Sequence, residues 1–254
     1  MKQIPNLFTL LNLVFGCLAI VFTLQNGIAI TGDGEGVTWI DIPEKIWLAS
    51  LFIGLAAVVD FLDGFIARLL KANSEMGKQL DSLADVVSFG VAPGMILYQF
   101  LRLSLARESN SLDASMIWLI PAFGVPCAAA WRLARFNLDT KQTHHFRGMP
   151  VPAAGIFVAS FPMIYWNVNV AWAQELLLNK WFLYGVVAAL SWLMVSTLPL
   201  MALKFRDYSI KNNLSQYLLI LLAVAGFLVL KWLSIPVVVL AYVILSLLFQ
   251  KNTA

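Results

Sequence analysis

Long apolar runs separated by short polar segments dominate this chain. Several runs reach the roughly 20 residues that an α-helix needs to cross a bilayer. The pattern therefore predicts an all-α, polytopic membrane bundle with about eight transmembrane helices. The predicted spans are residues 5–24, 46–70, 80–102, 115–136, 151–170, 181–203, 215–231 and 233–249. The last two are short and lie close together between Trp232 and Pro236, so they form either a helical hairpin or one broken element.

The composition agrees with a membrane protein. Hydrophobic residues make up 60% of the chain and charged residues 12%, and the mean hydropathy is +0.80. These values exclude an ordinary soluble domain. The first apolar run lacks a small-residue cleavage site followed by a soluble domain, so we interpret it as the first span and not as a secretory signal. Cys17 and Cys127 both lie in apolar runs and indicate neither a disulfide framework nor a metal site.

The distribution of charge predicts how the chain is oriented. With eight spans, most of the 17 Lys and Arg residues fall in the loops that share a side with both termini. The first loop of the other side, residues 31–44, contains acidic residues and no Lys or Arg. Basic loops stay on the cytoplasmic side of a membrane. We therefore expect a multi-pass protein of the inner (cytoplasmic) membrane, with both termini in the cytoplasm.

Four aspartates occupy an unusual position beside these apolar runs. Asp60 and Asp63 are spaced i, i+3 near the end of the second span, and Asp81 and Asp85 are spaced i, i+4 as the third span begins. Each spacing places two carboxylates on one helix face. Carboxylates close to a bilayer are costly and usually functional. All-oxygen ligation predicts a site for one or two hard divalent cations, Mg²⁺, Mn²⁺ or Ca²⁺.

Small and basic residues accompany the aspartates. Gly64, Ala67 and Gly77 would let a ligand approach the backbone closely, and Arg68 adds a positive charge. A metal site with these neighbours suits a diphosphate. The alternative interpretation is a set of solvated helix-end charges with packing glycines. The spacing D-x2-D-G-x2-A-R-x8-G-x3-D-x3-D defines eight positions at once and argues against that alternative.

This pattern resembles the signature of the CDP-alcohol phosphotransferase family of membrane enzymes, without departure. The resemblance implies a dinuclear Mg²⁺ or Mn²⁺ centre held by Asp60, Asp63, Asp81 and Asp85. It implies that Asp85 is also the catalytic base for the acceptor hydroxyl. Residues 5–12 are similar to the family as well, in a region that helps to bind the nucleotide. The implied nucleotide and diphosphate ligands are Thr9, Asn12, Gly64, Ala67, Arg68 and Gly77.

A second group of residues concerns the acceptor alcohol. Arg132 and Arg135 lie at i and i+3 at the cytoplasmic end of the fourth span, where a guanidinium pair suits a carboxylate or a phosphate. Ordinary positive-inside residues are the alternative interpretation. Three motifs resemble the phosphatidylserine synthase branch of this family. They are A-R-F-N at residues 134–137, F-x-G-x-P-x-P-A-A at residues 146–154, and residues 84–93. That branch implies transfer from CDP-diacylglycerol to L-serine, with Arg132, Arg135, Asn137 and Arg147 as acceptor ligands, and a homodimer.

The resemblance covers about the first 160 residues. We therefore expect a membrane domain over residues 1–205, with its catalytic core in about 1–170, and a C-terminal helical hairpin of the same unit over residues 206–254. Rival hypotheses are the same chemistry with glycerol 3-phosphate or inositol phosphate, and a cation transporter. His144 and His145 are interpreted as solvated loop residues. The many Trp and Tyr residues are interpreted as interfacial anchors and not as a nucleic-acid surface.

Overall fold

The structure is a computed structural model that describes residues 3–32, 38–72, 74–109, 115–138, 146–200 and 214–249. Helices dominate these residues, so the predicted all-α membrane fold is confirmed. The α-helices are α1 (Ile4–Gln25), α2 (Trp47–Leu69), α3 (Glu75–Asp85), α4 (Ala92–Ser109), α5 (Met116–Leu119), α6 (Gly124–Leu138), α7 (Val151–Asn167), α8 (Ala171–Leu177), α9 (Lys180–Val195), α10 (Leu214–Leu230) and α11 (Ser234–Phe249). The strands are β1 (Ala29–Gly32), β2 (Thr38–Asp41), β3 (Phe146–Arg147) and β4 (Pro199–Leu200).

Fewer helices meet the length of a membrane span than the eight that were expected. In the described residues, five helical stretches are long and apolar enough, or six if the pair α8–α9, bent by 68°, forms one span. The difference has two sources. Helix α7 has 17 residues, which is short for a bilayer. The last two expected spans are separated only by the turn at Lys231–Leu233 and count together as the stretch Gln216–Leu248, although this stretch folds back on itself at the turn.

Helix α1 packs through a stripe of small and polar residues. The side chains that it buries are spaced by three or four residues, and they are Pro5, Thr9, Asn12, Gly16, Ala19 and Thr23. Large apolar residues such as Leu7 and Val14 are exposed on the other side of the helix. Small residues allow close helix packing in a membrane, where lipid already solvates apolar side chains. The stripe therefore faces the protein, and the leucine and valine side faces lipid.

A short β-hairpin precedes α2, and a cluster of three polar side chains holds the hairpin to the rest of the protein. Strands β1 and β2 pair antiparallel, with Ala29 opposite Asp41. Arg107 of α4 lies 3.2 Å from Asp41, from its Nη2 to Oδ2. The Tyr165 hydroxyl of α7 donates to Asp41 Oδ1 at 2.8 Å. This clamp ties the hairpin to α4 and α7 at the end of α2 that is opposite Asp60 and Asp63.

Helix α3 continues into α4 through a π-helix at Val86–Val91. The Ser74 Oγ accepts a hydrogen bond from the Gly77 N–H at 3.0 Å and thereby caps the start of α3. The third span was expected to begin at residue 80, but its helix begins at Glu75. Asp81 and Asp85 therefore lie within a helix and not at its first turn.

Helices α4 and α7 form the centre of the molecule. Phe100 of α4 contacts both Phe161 and Tyr165 of α7 edge-on, with ring centroids 6.2 and 5.7 Å apart. Phe89 of the π-helix is fully buried, and Gly155 of α7 packs directly against it. The π-helix is thus wedged into the most buried part of the protein.

Residues 146–149, which precede α7, are held against the end of α9. Strand β3 pairs with β4, with Phe146 opposite Leu200. Gly148 has a φ of +76°, and a Cβ there would lie 2.7 Å from the Met194 carbonyl oxygen. A side chain at this position would suffer both backbone strain and a clash. The local fold therefore requires the glycine of the F-x-G-x-P-x-P motif.

The C-terminal helices form a hairpin. A 3₁₀ turn at Lys231–Leu233 joins α10 and α11, and Lys231 adopts a φ of +49°. A Cβ on Gly226, near the end of α10, would lie 3.4 Å from the Cβ of Ser234 at the start of α11. Leu219 and Tyr242, further from the turn, line the same cavity, so the two helices run antiparallel. Of the two alternatives for this region, the structure has the hairpin. The predicted span over residues 181–203 ends earlier, because α9 stops at Val195.

Candidate active site

Carboxylates from two helices converge at one point. Asp60 and Asp63 of α2 and Asp81 of α3 each offer an oxygen, and these oxygens lie within 4.8 Å of one another. Asp85 lies one turn further along α3 and close to Asp60. Asp63 and Asp85 are buried, whereas Asp60 and Asp81 are half-buried. The structure thus brings all four predicted aspartates together.

Helix α1 holds two of these carboxylates. The Thr9 hydroxyl donates to Asp63 Oδ2 at 2.6 Å, and Asn12 Nδ2 donates to Asp85 Oδ1 at 3.3 Å. Thr9 and Asn12 are 3% and 0% exposed, respectively. These two residues were expected to bind the nucleotide, and the structure places their side chains against the aspartates. They therefore orient the carboxylates, which their position in the sequence did not show.

The acidic cluster fits a divalent cation. Among the described residues, no Lys or Arg nitrogen lies within 4.0 Å of a carboxylate oxygen of these four aspartates, so none forms an ion pair with them. The Asn12 Oδ1 is also buried with no hydrogen-bond partner among these residues. Hard oxygen donors with uncompensated negative charge are the ligands that Mg²⁺, Mn²⁺ and Ca²⁺ prefer. The cluster can hold a metal ion through these oxygens.

The small residues of the pattern differ in their surroundings. A Cβ on Gly64 would meet nothing within 4 Å, so the backbone beside Asp63 is open. A Cβ on Gly77 would lie 3.0 Å from both Asn6 Oδ1 and Ser74 Oγ, so this glycine serves the packing of α3 on α1. Ala67 is half-buried and Arg68 is exposed. Of these four residues, Gly64 leaves the clearest space for a ligand.

The π-helix that follows Asp85 was not anticipated from the sequence. Its Ser88 hydroxyl donates to the Asn12 carbonyl at 3.0 Å, and Gly16 would place a Cβ only 2.8 Å from the Ser88 Cα. These contacts lock the segment to α1. The available signal is the spacing of Asn12 and Gly16 on one face of α1, but their partner Ser88 lies 76 residues from Asn12.

The four expected acceptor ligands have different environments. Arg132 is 6% exposed, its Nη2 donates to the Gly148 carbonyl at 3.5 Å, and its Nε has no hydrogen-bond partner among the described residues. Arg135 donates to the carbonyls of Val195 and Ser196, both at 2.9 Å, and so binds the end of α9. The Arg132 guanidinium is therefore buried with unused donor capacity, whereas that of Arg135 is engaged.

The remaining acceptor candidates are less informative. Asn137 Nδ2 donates to Ser82 Oγ at 2.9 Å, and the Asn137 carbonyl accepts from Lys78 Nζ at 3.3 Å. Asn137 thus joins α6 to α3. The side chain of Arg147 lies outside the described part of the structure, as do His144 and His145.

Comparison with known proteins adds to this geometry. A family model described as CDP-alcohol phosphatidyltransferase matches residues 2–195. Curated proteins named CDP-diacylglycerol–serine O-phosphatidyltransferase are similar over much of the chain. The one from Mycobacterium leprae is 29% identical and aligns with 95% of this chain and 72% of its own length. That from Helicobacter pylori (strain J99) is 30% identical over 86% and 78%, and that from Bacillus subtilis 33% identical over 65% and 78%.

Proposed function

We propose that this chain, which belongs to the CDP-alcohol phosphatidyltransferase family, transfers the phosphatidyl group of CDP-diacylglycerol to L-serine. The products are phosphatidylserine and CMP. The observation that carries the proposal is the convergence of four aspartates from α2 and α3, braced by Thr9 and Asn12 of α1. The names of the curated relatives support serine as the acceptor.

Asp60, Asp63, Asp81 and Asp85 would hold the metal, which we propose to be two Mg²⁺ or Mn²⁺ ions. When bound, such ions neutralise the diphosphate oxygens and make the phosphorus more electrophilic. The protein contributes the fixed positions of the carboxylates. Thr9 and Asn12 reduce the freedom of Asp63 and Asp85, because each donates a hydrogen bond to one carboxylate oxygen.

Asp85 is proposed as the general base. It takes the proton of the serine hydroxyl, and the serine oxygen then forms a bond to the phosphorus that carries diacylglycerol. The bond between this phosphorus and the bridging oxygen of CMP breaks, and CMP leaves with that oxygen. Asp85 suits this role because it is buried next to the cluster and its Oδ1 is oriented by Asn12.

The donor is proposed to approach from the bilayer along α2. Val58, Phe61 and Phe65 form an exposed apolar face that ends beside the open backbone of Gly64. Acyl chains can remain in lipid along this face while the diphosphate reaches the aspartates. Ala67, Arg68 and Gly77 remain proposed nucleotide contacts, and Arg68 would offer its charge to a phosphate.

The carboxylate of serine is proposed to pair with Arg132. A buried guanidinium with a free Nε is costly unless an anion joins it. Arg135, Asn137 and Arg147 remain proposed contributors to the acceptor site. We further propose that the site opens to the cytoplasm, that the protein resides in the inner membrane, and that it acts as a homodimer.

A direct assay tests the function. Purified protein is given CDP-diacylglycerol, Mn²⁺ or Mg²⁺, and a panel of alcohols, and CMP release is measured. We expect serine-dependent release. Release with glycerol 3-phosphate or inositol phosphate in place of serine would contradict the acceptor, and the absence of CDP-lipid turnover with every alcohol would favour a transporter.

Asp85→Asn tests the base. Loss of a general base typically costs about 10²–10⁴-fold in rate, so we expect turnover to fall by that amount while thermal unfolding in detergent is unchanged. Glu75→Gln is the matched control, because Glu75 is an exposed acidic residue of the same helix. Wild-type turnover by Asp85→Asn would overturn the mechanism.

A further inference from the structure

Helix α6 packs closely against the helical segment that follows Asp85. Gly90 of the π-helix and Ala129 of α6 are both buried, and a Cβ on Gly90 would lie 3.0 Å from the Cβ of Ala129. A Cβ on Gly94 of α4 would likewise lie 3.0 Å from the Cδ of Pro126. Small residues at such contacts let two helices approach closely in a membrane. The two glycines therefore allow α6 to lie this near to the π-helix and α4.

A hydrogen bond joins the same helices on the other side of Asp85. Asn137 Nδ2 of α6 donates to Ser82 Oγ of α3 at 2.9 Å. The two contacts on α6, at Ala129 and Asn137, are as far apart in sequence as their partners, Gly90 and Ser82. The two segments therefore run antiparallel and keep one register along this stretch. They are held together at two points, one before and one after Asp85.

The proposed base and the proposed carboxylate ligand both lie between these two contacts. Asp85 is one turn beyond Ser82 on α3, and Arg132 is one turn beyond Ala129 on the buried face of α6. Arg132 is 6% exposed, and its Nε has no hydrogen-bond partner among the described residues. Because of the antiparallel register, Asp85 and Arg132 lie at nearly the same level on neighbouring helices. Their separation therefore depends on how closely α6 approaches the π-helix.

We propose that Gly90 is a specificity-determining residue: the close approach of α6 that it permits sets the separation between Arg132 and Asp85, and with it the length of the acceptor. The inference rests on the proposed function. An acceptor whose carboxylate pairs with Arg132 and whose hydroxyl meets Asp85 has to match that separation. L-serine has one methylene between its hydroxyl and the carbon that carries the ammonium and carboxylate, whereas L-homoserine has two. The close contact at Gly90 selects the shorter of the two.

A side chain at Gly90 would increase the separation. Carbon atoms in favourable contact are about 3.5–4.0 Å apart, so a Cβ at 3.0 Å from that of Ala129 forces the two segments apart. The Ser82–Asn137 hydrogen bond holds the other end of the pair. The displacement is therefore largest at Ala129 and carries Arg132, one turn away, with it. The site then becomes too long for the shorter acceptor.

Acceptor preference tests this role. The measured quantity is the ratio of kcat/KM for L-serine to that for L-homoserine, with CMP release as the readout. One methylene is worth roughly 10–200-fold in specificity, and we expect the wild type to prefer L-serine within this range. Gly90→Ala should reduce the preference by about tenfold, through a higher KM for L-serine and an unchanged KM for CDP-diacylglycerol. Equal losses with both acceptors would indicate a merely structural role and would overturn the proposal.

A compensating variant separates spacing from damage to the fold. Adding Ala129→Gly to Gly90→Ala removes the Cβ that the new one would meet, so the preference for L-serine should return toward that of the wild type. A double variant that folds and keeps the altered preference would contradict the spacing role. If Gly90→Ala alone does not fold, Gly94→Ala decides the matter. It separates the same helices further from Asp85 and should change the preference in the same direction by less, and an unchanged preference would count against the proposal.

The matched control lies on α6 itself. A Cβ on Gly124 would lie 3.4 Å from both Ser191 Oγ and Val187 Cγ1 of α9, which is an ordinary contact and faces away from the π-helix contact at Gly90. Gly124→Ala should therefore keep the wild-type preference. The same change in preference in Gly124→Ala as in Gly90→Ala would show that the effect does not depend on the contact with the π-helix.

The two hypotheses fail in different ways. If the wild type releases no CMP with L-serine, the proposed function is wrong and this inference falls with it. If the wild type uses L-serine and Gly90→Ala keeps the wild-type preference over L-homoserine, the spacing role alone is wrong.

Discussion

At the scale of single residues, the hydrogen bonds that orient the carboxylates are expected to support metal binding. Thr9 lies on α1 and donates to Asp63 at 2.6 Å. Thr9→Val keeps the shape of the side chain and removes the donor. Losing the partner of a metal ligand typically weakens metal binding by 10–100-fold. We therefore expect the Mn²⁺ concentration for half-maximal activity to rise by about 10–100-fold.

Thr9→Ser is the control for this prediction. It retains the hydroxyl and loses one methyl group, so the metal requirement should stay near that of the wild type. Activity titrated with Mn²⁺ in both variants measures the effect. Equal metal requirements in Thr9→Val and wild type would show that the hydrogen bond does not support a metal ligand.

Gly64 allows a substrate contact to be tested without disturbing the fold. A Cβ at Gly64 or at Gly54, both on α2, would meet nothing within 4 Å. Gly64→Ala and Gly54→Ala should therefore fold alike. We expect Gly64→Ala alone to raise the KM for CDP-diacylglycerol or lower turnover, because its Cβ occupies space beside Asp63. Kinetics and thermal unfolding of both variants measure this, and equal kinetics would exclude a ligand at Gly64.

The aspartates could be predicted from the sequence because their neighbours are local. Spacings of three and four residues place Asp60 beside Asp63 and Asp81 beside Asp85 on any helix, and one short turn brings the two helices together. Arg135 could not be assigned in this way. Its partners, the Val195 and Ser196 carbonyls, lie about 60 residues further along the chain. A guanidinium that suits a carboxylate suits the end of a helix equally well.

At the scale of elements, the π-helix at Val86–Val91 is the feature that links packing to chemistry. It begins directly after Asp85 and is wedged between α1 and α7. π-Helical segments are often found at functional sites. A displacement of this segment would move the proposed base, although none of its own residues belongs to the acidic cluster.

Gly155→Ala tests this link from a distance. Its Cβ would lie 2.9 Å from the Cβ of Phe89 and 3.0 Å from the Phe89 Cα, so the π-helix must shift. Overpacking of this kind costs about 1–3 kcal/mol. We expect a lower unfolding temperature in detergent and a lower turnover. Gly185→Ala on α9 is the control, because its Cβ would meet nothing within 4 Å; equal turnover in the two variants would contradict the link.

The straight helices could be predicted from the sequence, whereas the π-helix could not. The runs of apolar residues located the helices because hydropathy is a local property. The π-helix has no such signature, since it depends on contacts with Gly16 and Gly155 that are distant in sequence.

At the scale of the whole molecule, the two ends of the helix bundle carry different polar groups. The aspartate end carries Arg68, Lys71 and Lys78, whereas the opposite end carries the clamp of Asp41, Arg107 and Tyr165. Basic residues favour the cytoplasmic side, which is also where a soluble acceptor would be available. Both arguments support the proposal that the active site opens to the cytoplasm.

Labelling of single cysteines tests this orientation. Glu44 and Glu75 are exposed acidic residues in the first turns of helices at opposite ends of the bundle. Each is replaced by Cys in a chain whose Cys17 and Cys127 are changed to Ser. With a membrane-impermeant maleimide, we expect Glu44→Cys to react in right-side-out vesicles and Glu75→Cys in inside-out vesicles. Detergent should make both reactive, which controls for accessibility. The reverse pattern would place the aspartates on the outer face, away from cytoplasmic serine, and the proposed reaction would then lack its acceptor.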